Sequence, residues 1–414
     1  MSKVAFIFPG HGSQYAGMGR SLYESFDIAK NTFKEASDLI GMDVKRLCFN
    51  RSYKRITDLA SAQLAILTIS VAAFRVLKKE SDIDPDFLAG NSFGELSALV
   101  CSNALNFKDA LKIAKFTGDL VKKEIGSEKY KMIALSIDDF KLFRQIQKKI
   151  LASKNIYLAM YNSGKQIVVS GDKEEIMKFK KYLEGLRINF TDVNVIAPFH
   201  TPILKSAEIK TRQYLKNINF EKPIYPVVSN LNEKIINSGK WARENISRNL
   251  TQKINWHGVI KKLISHNVKI TIEVGPRKIL SNLIKENYDD IAVYPMGTKK
   301  DLELIKDKFS LDKVSSCNII EKCLKIAVSS RNNSDNTREY EKFVAEYRKV
   351  NKKFRYYKEN NKTFKVKEVL EAVSMLKNVL EIKNTSRKEL QIVMEEILDY
   401  RQMHFSKIKK LLLS

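Results

Sequence analysis

The sequence predicts an α/β fold in three parts: an α/β-hydrolase-like core, a ferredoxin-like subdomain inserted into it, and a helical C-terminal extension. Three observations carry this expectation. A short apolar strand at 87–90 runs into a sharp turn holding a serine and then into a helix. The stretch from about 131 to 196 alternates in the order β-α-β-β-α-β. Beyond about residue 300, glycine and proline become sparse while helical periodicities lengthen. The boundaries that follow are 1–128 and 198–300 for the core, 129–197 for the insertion and 301–414 for the extension.

Within the core, residues 4–8 are a buried-strand run that breaks at Pro9-Gly10-His11-Gly12-Ser13-Gln14, from which a helix is expected near Tyr15. Helical segments follow around 22–30 and 60–77, then the strand and serine turn, then a helix over 95–101. The insertion reads as strands at 132–137, 156–161, 166–170 and 192–196, with helices at 140–152 and 173–186. The core resumes with strands at 226–230 and 269–274, and a helix after Trp256. In the extension, residues 332–337 read as a linker, and Ser386-Arg387-Lys388-Glu389 is a capping box. The helix it opens carries an apolar stripe at Leu390, Val393, Ile397, His404, Ile408 and Leu411. Such a stripe is a partner-binding seam or, more commonly, packs on the parent domain.

Composition narrows the class. The chain has 414 residues, more than one small domain needs, with 44% hydrophobic residues and no run of eighteen apolar ones. The start lacks the basic flank and cleavage site of a secretory signal, so a cytoplasmic protein without a transmembrane segment is expected. Cys48, Cys101, Cys317 and Cys323 have neither CxxC spacing nor a histidine cluster, which argues against disulfide frameworks and metal sites. The net charge of +26 favours acidic partners. Its lysines are spread along the chain without a nucleic-acid-binding signature, so an acidic protein or an anionic cofactor fits as partner, while a lysine- and asparagine-rich genome bias accounts for the charge equally well.

The chemistry centres on Gly90-Asn91-Ser92-Phe93-Gly94. Strand, tight turn with serine, then helix is the setting of a nucleophile elbow, but a serine needs a base and a stabilised oxyanion before it can attack. Of the five histidines, His257 and His266 sit on one helix and its end, and His404 lies in the extension. His200 stands apart, in Ala197-Pro198-Phe199-His200-Thr201-Pro202, where two prolines stiffen the loop.

Five segments now fall into register: Phe8-Pro9-Gly10-His11-Gly12-Ser13-Gln14, the Ser92 elbow through Glu95, the His200 loop, Val228-Ser229-Asn230 and Glu273-Val274-Gly275-Pro276. In order and spacing, over roughly residues 1–300, the chain resembles malonyl-CoA:acyl carrier protein transacylases and the related polyketide synthase acyltransferases. The resemblance implies a ping-pong acyl transfer with Ser92 as nucleophile and His200 as general base, moving an acyl group from acyl-CoA to the phosphopantetheine thiol of an acyl carrier protein, with no bound cofactor. It implies that a backbone carbonyl of the segment Arg248-Asn249-Leu250 orients the histidine, with Asn249 where glutamine is usual. The backbone N–H groups of Phe93 and His11 would hold the oxyanion, and Gln14, Asn91, Thr117, Asn162 and Phe199 would form the substrate pocket. His11 stands where glutamine is usual, Asn91 where histidine is, and Phe93 where leucine is.

One departure bears on substrate. Members that use malonyl groups carry an arginine that grips the carboxylate; the corresponding residue here is Thr117 in Lys115-Phe116-Thr117-Gly118-Asp119. A desolvated carboxylate without a cation costs several kcal/mol, on the order of a thousandfold in specificity. Lys115 and Lys122 lie about 160° and 140° around the helix from Thr117. Three readings stay open: a carrier-protein acyltransferase of uncertain acyl group, an acyl hydrolase that clears carrier proteins, and an inactive scaffold whose C-terminal helices bind a partner.

Overall fold

In the computed structural model of the chain, the described residues are 3–49, 58–81, 83–125, 129–193, 197–309, 313–330, 337–360, 362, 364 and 366–398. They form two compact units, one of residues 3–80 and 85–303, the other running from 304 onward together with 81–84. The strands are β1 (Lys3–Phe8), β2 (Phe87–Gly90), β3 (Tyr130–Ser136), β4 (Ile156–Tyr161), β5 (Gln166–Asp172), β6 (Asn189–Asp192), β7 (Val227–Val228), β8 (Ile235–Ile236), β9 (Ile254–Asn255), β10 (Val268–Val274) and β11 (Ala292–Met296).

The first sheet runs β11-β10-β1-β2-β7-β8 and is parallel except for its last pair. Val4, Ala5, Phe6, Ile7 and Phe8 of β1 are all fully buried, because both faces of a parallel sheet are covered. Ala5 and Ile7 face a cluster with Trp256, Val259 and Ile260 from the helix Trp256–Ser265. Phe6 and Phe8 meet Phe74 on the other side. Phe74 belongs to the helix Leu59–Glu80, which by length and composition could cross a membrane, yet 83% of its most apolar stretch is buried in the fold. It is a core helix.

Two expectations about helices change. The first helix starts at Arg20 rather than near Tyr15, because the turns Met18 N to Tyr15 O and Arg20 N to Gly17 O come first. The segment expected around 22–30 is two helices, Arg20–Ser25 and Asp27–Ile40, broken where Phe26 turns to an extended backbone.

The second sheet runs β6-β3-β5-β4-β9. Its first four strands are antiparallel neighbours, and the helices Phe140–Leu151 and Lys173–Gly185 bury Ile146, Ile176 and Leu183 against Ile133, Leu135 and Val169 on one face. The fifth strand is β9, which pairs in parallel with β4, Met160 opposite Ile254. Thus the segment 129–193 joins the rest of its unit through backbone hydrogen bonds as well as through its two connections. The last strand, expected at 192–196, forms earlier, as Asn189–Asp192 paired with β3; residues 194–196 lie outside the described residues.

In the other unit, the helices Lys313–Ser329, Thr337–Glu359, Val366–Ile382 and Arg387–Leu398 surround a core of Ile319, Cys323, Val369, Val373, Leu376, Leu380 and Ile397. Leu390 and Val393 pack, partly buried, against this core, so the described part of the apolar stripe faces the helices' own bundle. Its other members, His404, Ile408 and Leu411, and linker residues 332–336, lie outside the described residues. The capping box is formed, with Ser386 Oγ donating to Glu389 Oε2 at 2.8 Å and Glu389 N donating to Ser386 Oγ at 3.3 Å.

At the carboxyl ends of β1 and β2 the backbone approaches itself so closely that a Cβ on Gly94 would sit 2.1 Å from Phe8 O. Backbone cannot retreat as a flexible side chain can. Gly94→Ala is therefore expected to cost at least about 2–3 kcal/mol in denaturant unfolding; a loss under about 0.5 kcal/mol would contradict the contact.

Candidate active site

Ser92 follows β2 at φ 54°, a left-handed conformation that non-glycine residues seldom adopt. The helix Gly94–Cys101 begins at once behind it. Two side-chain amides tie the strained turn down: Asn230 Nδ2 donates to Gly90 O at 2.9 Å and Ser92 O at 3.2 Å, and Asn249 Nδ2 donates to Ser92 O at 3.3 Å. Beneath them Glu95, fully buried, accepts from Asn230 N at 2.8 Å and Asn245 Nδ2 at 3.0 Å. Burial raises the Glu95 pKa to about 7, against the pull of those two hydrogen bonds.

His200 is also left-handed, at φ 63°, and its N–H donates to Leu250 O at 2.8 Å. The ring bridges two groups. Nε2 lies 2.7 Å from Ser92 Oγ, and Nδ1 lies 2.6 Å from Asn249 O. A carbonyl only accepts, so Nδ1 carries the proton and Nε2 presents its lone pair to the serine hydroxyl. Burial lowers the His200 pKa to about 4, although its backbone hydrogen bond to Asn249 pulls the other way. The ring is therefore neutral at physiological pH, as a base must be.

The turn that carries His11 packs against the elbow that carries Phe93. A Cβ on Gly10 would lie 2.5 Å from Asn91 O and 3.2 Å from Phe93 N, which brings the 9–12 turn against the elbow. Among the described residues, neither the His11 nor the Phe93 N–H has a hydrogen-bond partner, which leaves both available to a developing oxyanion.

A cavity of about 420 Å³, its open mouth included, adjoins Ser92. His11, Phe93, Phe199 and Thr117 line it, together with Gln63, Leu96, Ile113, Ile246, Asn249 and Leu250. None of these is Lys or Arg. His11 stacks on Phe199 with centroids 5.3 Å apart, and its Nε2 has no partner. Burial first, and the charge of a protonated His200 second, lower its pKa to about 3, so it supplies no positive charge. The Thr117 hydroxyl turns to Ile113 O at 2.8 Å and Gln63 Oε1 at 3.1 Å. Lys115 pairs with Asp119, and Lys122 with Asp58, each at 2.7 Å.

Gln14, Asn91 and Asn162 do not line this cavity. Gln14 accepts from Gly12 N at 2.8 Å, Asn162 Nδ2 donates to Gln166 Oε1 at 2.8 Å, and Asn91 is buried with its Nδ2 unpartnered. Sequence reasoning missed Gln63, Glu95 and Asn245. The signal for Gln63 was available, a single side-chain amide in a 22-residue apolar helix. Among the described residues, no group of three or more His, Cys, Asp or Glu is arranged to hold a metal, and the four cysteines are free.

Comparison with known proteins sorts this arrangement. The profile of the acyl transferase domain family matches residues 5–344. The chain belongs to that family. It is 37% identical over 308 residues to a malonyl CoA-acyl carrier protein transacylase of Bacillus subtilis, covering 74% of this chain and 77% of the relative. A second such transacylase, from Bacillus subtilis strain 168, is 34% identical across 73% of this chain and 96% of its own length. Among solved structures, a malonyl transacylase in complex with its type II polyketide synthase acyl carrier protein superposes with a TM-score of 0.70 at 28% identity, covering 73% of this chain and 98% of that one. The transacylase of Clostridium perfringens gives the same TM-score at 29% identity, covering 74% and 97%. The chain is thus an acyltransferase similar to acyl carrier protein S-malonyltransferases.

The lowered histidine values set a pH dependence. Acylation of Ser92 should hold steady as the pH falls from 8 to about 5 and collapse only near pH 4, where His200 takes a proton; a midpoint near 6.5 in single-turnover rates would refute it. In the unfolded chain both rings titrate near 6.5, so between about 6.5 and 4 the unfolded state holds more protons. Stability contributed by these rings is present above about 6.5 and declines as the pH falls through that window.

Proposed function

We propose that the chain transfers an uncharged acyl group from acyl-CoA to the phosphopantetheine thiol of an acyl carrier protein through an acyl-Ser92 intermediate. The observation that carries this is the Ser92–His200–Asn249 carbonyl array opening on a cavity lined by no cation. As Ser92 Oγ attacks the thioester carbonyl, its proton passes to His200 Nε2, and the oxyanion sits between the His11 and Phe93 N–H groups. Collapse expels CoA as thiolate, which takes the proton from His200. The carrier's thiol then gives its proton to His200 and attacks the acyl-serine, and Ser92 regains its hydrogen as the new thioester leaves.

A malonyl carboxylate in this cavity would meet neutral His11, the hydroxyl of Thr117 and the amide of Gln63, none of which replaces a guanidinium. That supports acyl groups such as acetyl over malonyl. Hydrolysis of carrier-bound acyl groups uses the same residues with water as the second nucleophile, and turnover of acyl carrier protein without CoA would favour it. The strand order β6-β3-β5-β4 supports reading 129–197 as an inserted ferredoxin-like subdomain, and the parallel sheet with its serine turn supports an α/β-hydrolase-like core. We read the enzyme as cytoplasmic.

Intact mass after incubation with a panel of acyl-CoAs tests this reading. An acyl adduct on the native chain that is absent from Ser92→Ala is expected, with acetyl loading outpacing malonyl by at least tenfold. Malonyl loading as fast as acetyl would overturn the substrate assignment, and an adduct that survives in Ser92→Ala would overturn the mechanism. Thr117→Arg should raise malonyl relative to acetyl loading by on the order of a hundredfold, if the new guanidinium reaches the carboxylate.

A further inference from the structure

A buried carboxylate that takes no part in the chemistry lies eight residues along the chain from His200. Glu208 sits on the helix Lys205–Tyr214, which follows the His200 loop, and its side chain is 2% exposed. Its Oε2 accepts from Thr251 Oγ1 at 2.6 Å and Lys205 Nζ at 2.9 Å, and its Oε1 accepts from Arg212 at 2.7 Å. Thr251 closes the end of the turn after the helix Gly239–Arg248, where Thr251 N and Gln252 N both donate to Arg248 O, at 3.0 and 2.9 Å. The two residues inside that turn each supply a backbone acceptor to His200: Asn249 O for the ring and Leu250 O for the peptide N–H.

We infer that Glu208 is a positioning residue that, through the Thr251 hydroxyl, fixes the 249–250 carbonyls and so the orientation of the His200 ring. The competing explanation is an ordinary helix ion pair, since Lys205 and Arg212 lie three and four residues away. Burial decides between them. The cationic side chains are 62% and 49% exposed while the carboxylate is withdrawn, and ion pairing alone gives a carboxylate no reason to leave water. What it gains on the inner side is a short, charge-assisted bond to a hydroxyl. Burial alone would raise its pKa; the Thr251 hydroxyl and the two cations more than offset that and hold it below the ordinary glutamate value.

The arrangement matters because His200 cycles between neutral and protonated forms in each half-reaction. The Nδ1–H to carbonyl bond strengthens when the ring is charged, and a carbonyl on an untethered turn would follow the ring instead of aiming it. In a triad a carboxylate bonds Nδ1 directly. Here the carboxylate acts one step removed, by holding the peptide whose carbonyl does so.

This inference rests on His200 serving Ser92 as base, and the test separates the two ideas. Single-turnover acylation by acetyl-CoA, followed by intact mass over a range of donor concentrations, is compared for the native chain, Thr251→Val, Thr251→Ser, Glu208→Gln and the Thr251→Val/Glu208→Gln double variant, with thermal unfolding of each. Thr251→Val and Glu208→Gln should slow the maximal rate on the order of tenfold to a hundredfold without changing the donor concentration at half-rate. Thr251→Ser, which keeps the hydroxyl, should stay within about threefold of native, and the double variant should be no slower than the worse single one. A folded Thr251→Val that acylates at the native rate overturns the inference, as does a slowing that lies wholly in donor half-saturation. If Thr251→Val does not fold, Glu208→Gln against Thr251→Ser decides by the same criteria. A native chain that forms no acyl-serine with any donor overturns the catalytic reading itself.

Discussion

The active site rests on the close contact of three backbone segments at the end of β1. Gly94 packs on Phe8 O, and Gly10 packs against the peptides of Asn91 and Phe93. With no room for side chains at those points, the chain leaving β2 must double back within a few residues, and Ser92 takes the left-handed conformation that such a reversal needs. Strain of this kind costs about 1–3 kcal/mol and persists only where the surroundings over-determine it. Here they do, through the Asn230 and Asn249 amides on the Gly90 and Ser92 carbonyls, with Glu95 holding Asn230 from below. The same contact packs the turn carrying His11 against the elbow carrying Phe93, so the nucleophile and the proposed oxyanion donors lie on segments joined by one packing constraint.

Charge is distributed in the opposite sense to chemistry. The chain carries +26 overall, yet the cavity beside Ser92 has no Lys or Arg in its lining, and burial holds neutral both His11, which lines it, and His200, which bonds Ser92. Surface charge acts over roughly a Debye length and favours encounter with acidic partners. It cannot neutralise a carboxylate inside a desolvated pocket, because Lys115 and Lys122 are committed to Asp119 and Asp58. Attraction of a partner and selection of its acyl group are thus separate problems in this molecule.

What the sequence made legible follows the range of the forces involved. The Ser92 elbow and the β-α-β-β-α-β segment are local patterns, visible as period-two and helical runs between turns. The His200 to Asn249 bond spans 49 residues and became visible only because motifs fall into register. Pairings such as β9 on β4 rest on two residues each and leave no periodicity to read. Phe26 takes an extended backbone and breaks a helix that its neighbours' propensities would continue. Pocket residues Gln14, Asn91 and Asn162 were placed by motif alone, and a polar side chain beside a motif turns as readily to its own loop as to a cavity.

Those outcomes bear on how such a site changes while its chemistry lasts. Its histidine is aimed by a peptide carbonyl and the oxyanion donors proposed for it are peptide N–H groups, so on that reading the side chains at 11 and 93 can differ without touching either function. Position 249 is less free, because its amide also donates to the Ser92 carbonyl and to Asn230 Oδ1, and an amide is what stands there. Position 117 is the reverse case: on the proposed reading carboxylate recognition would reside in a side chain there, and the threonine present folds its hydroxyl back onto its own helix. Backbone-borne catalysis and side-chain-borne selection can therefore diverge independently, which is why an intact acylation apparatus here does not by itself specify a malonyl group.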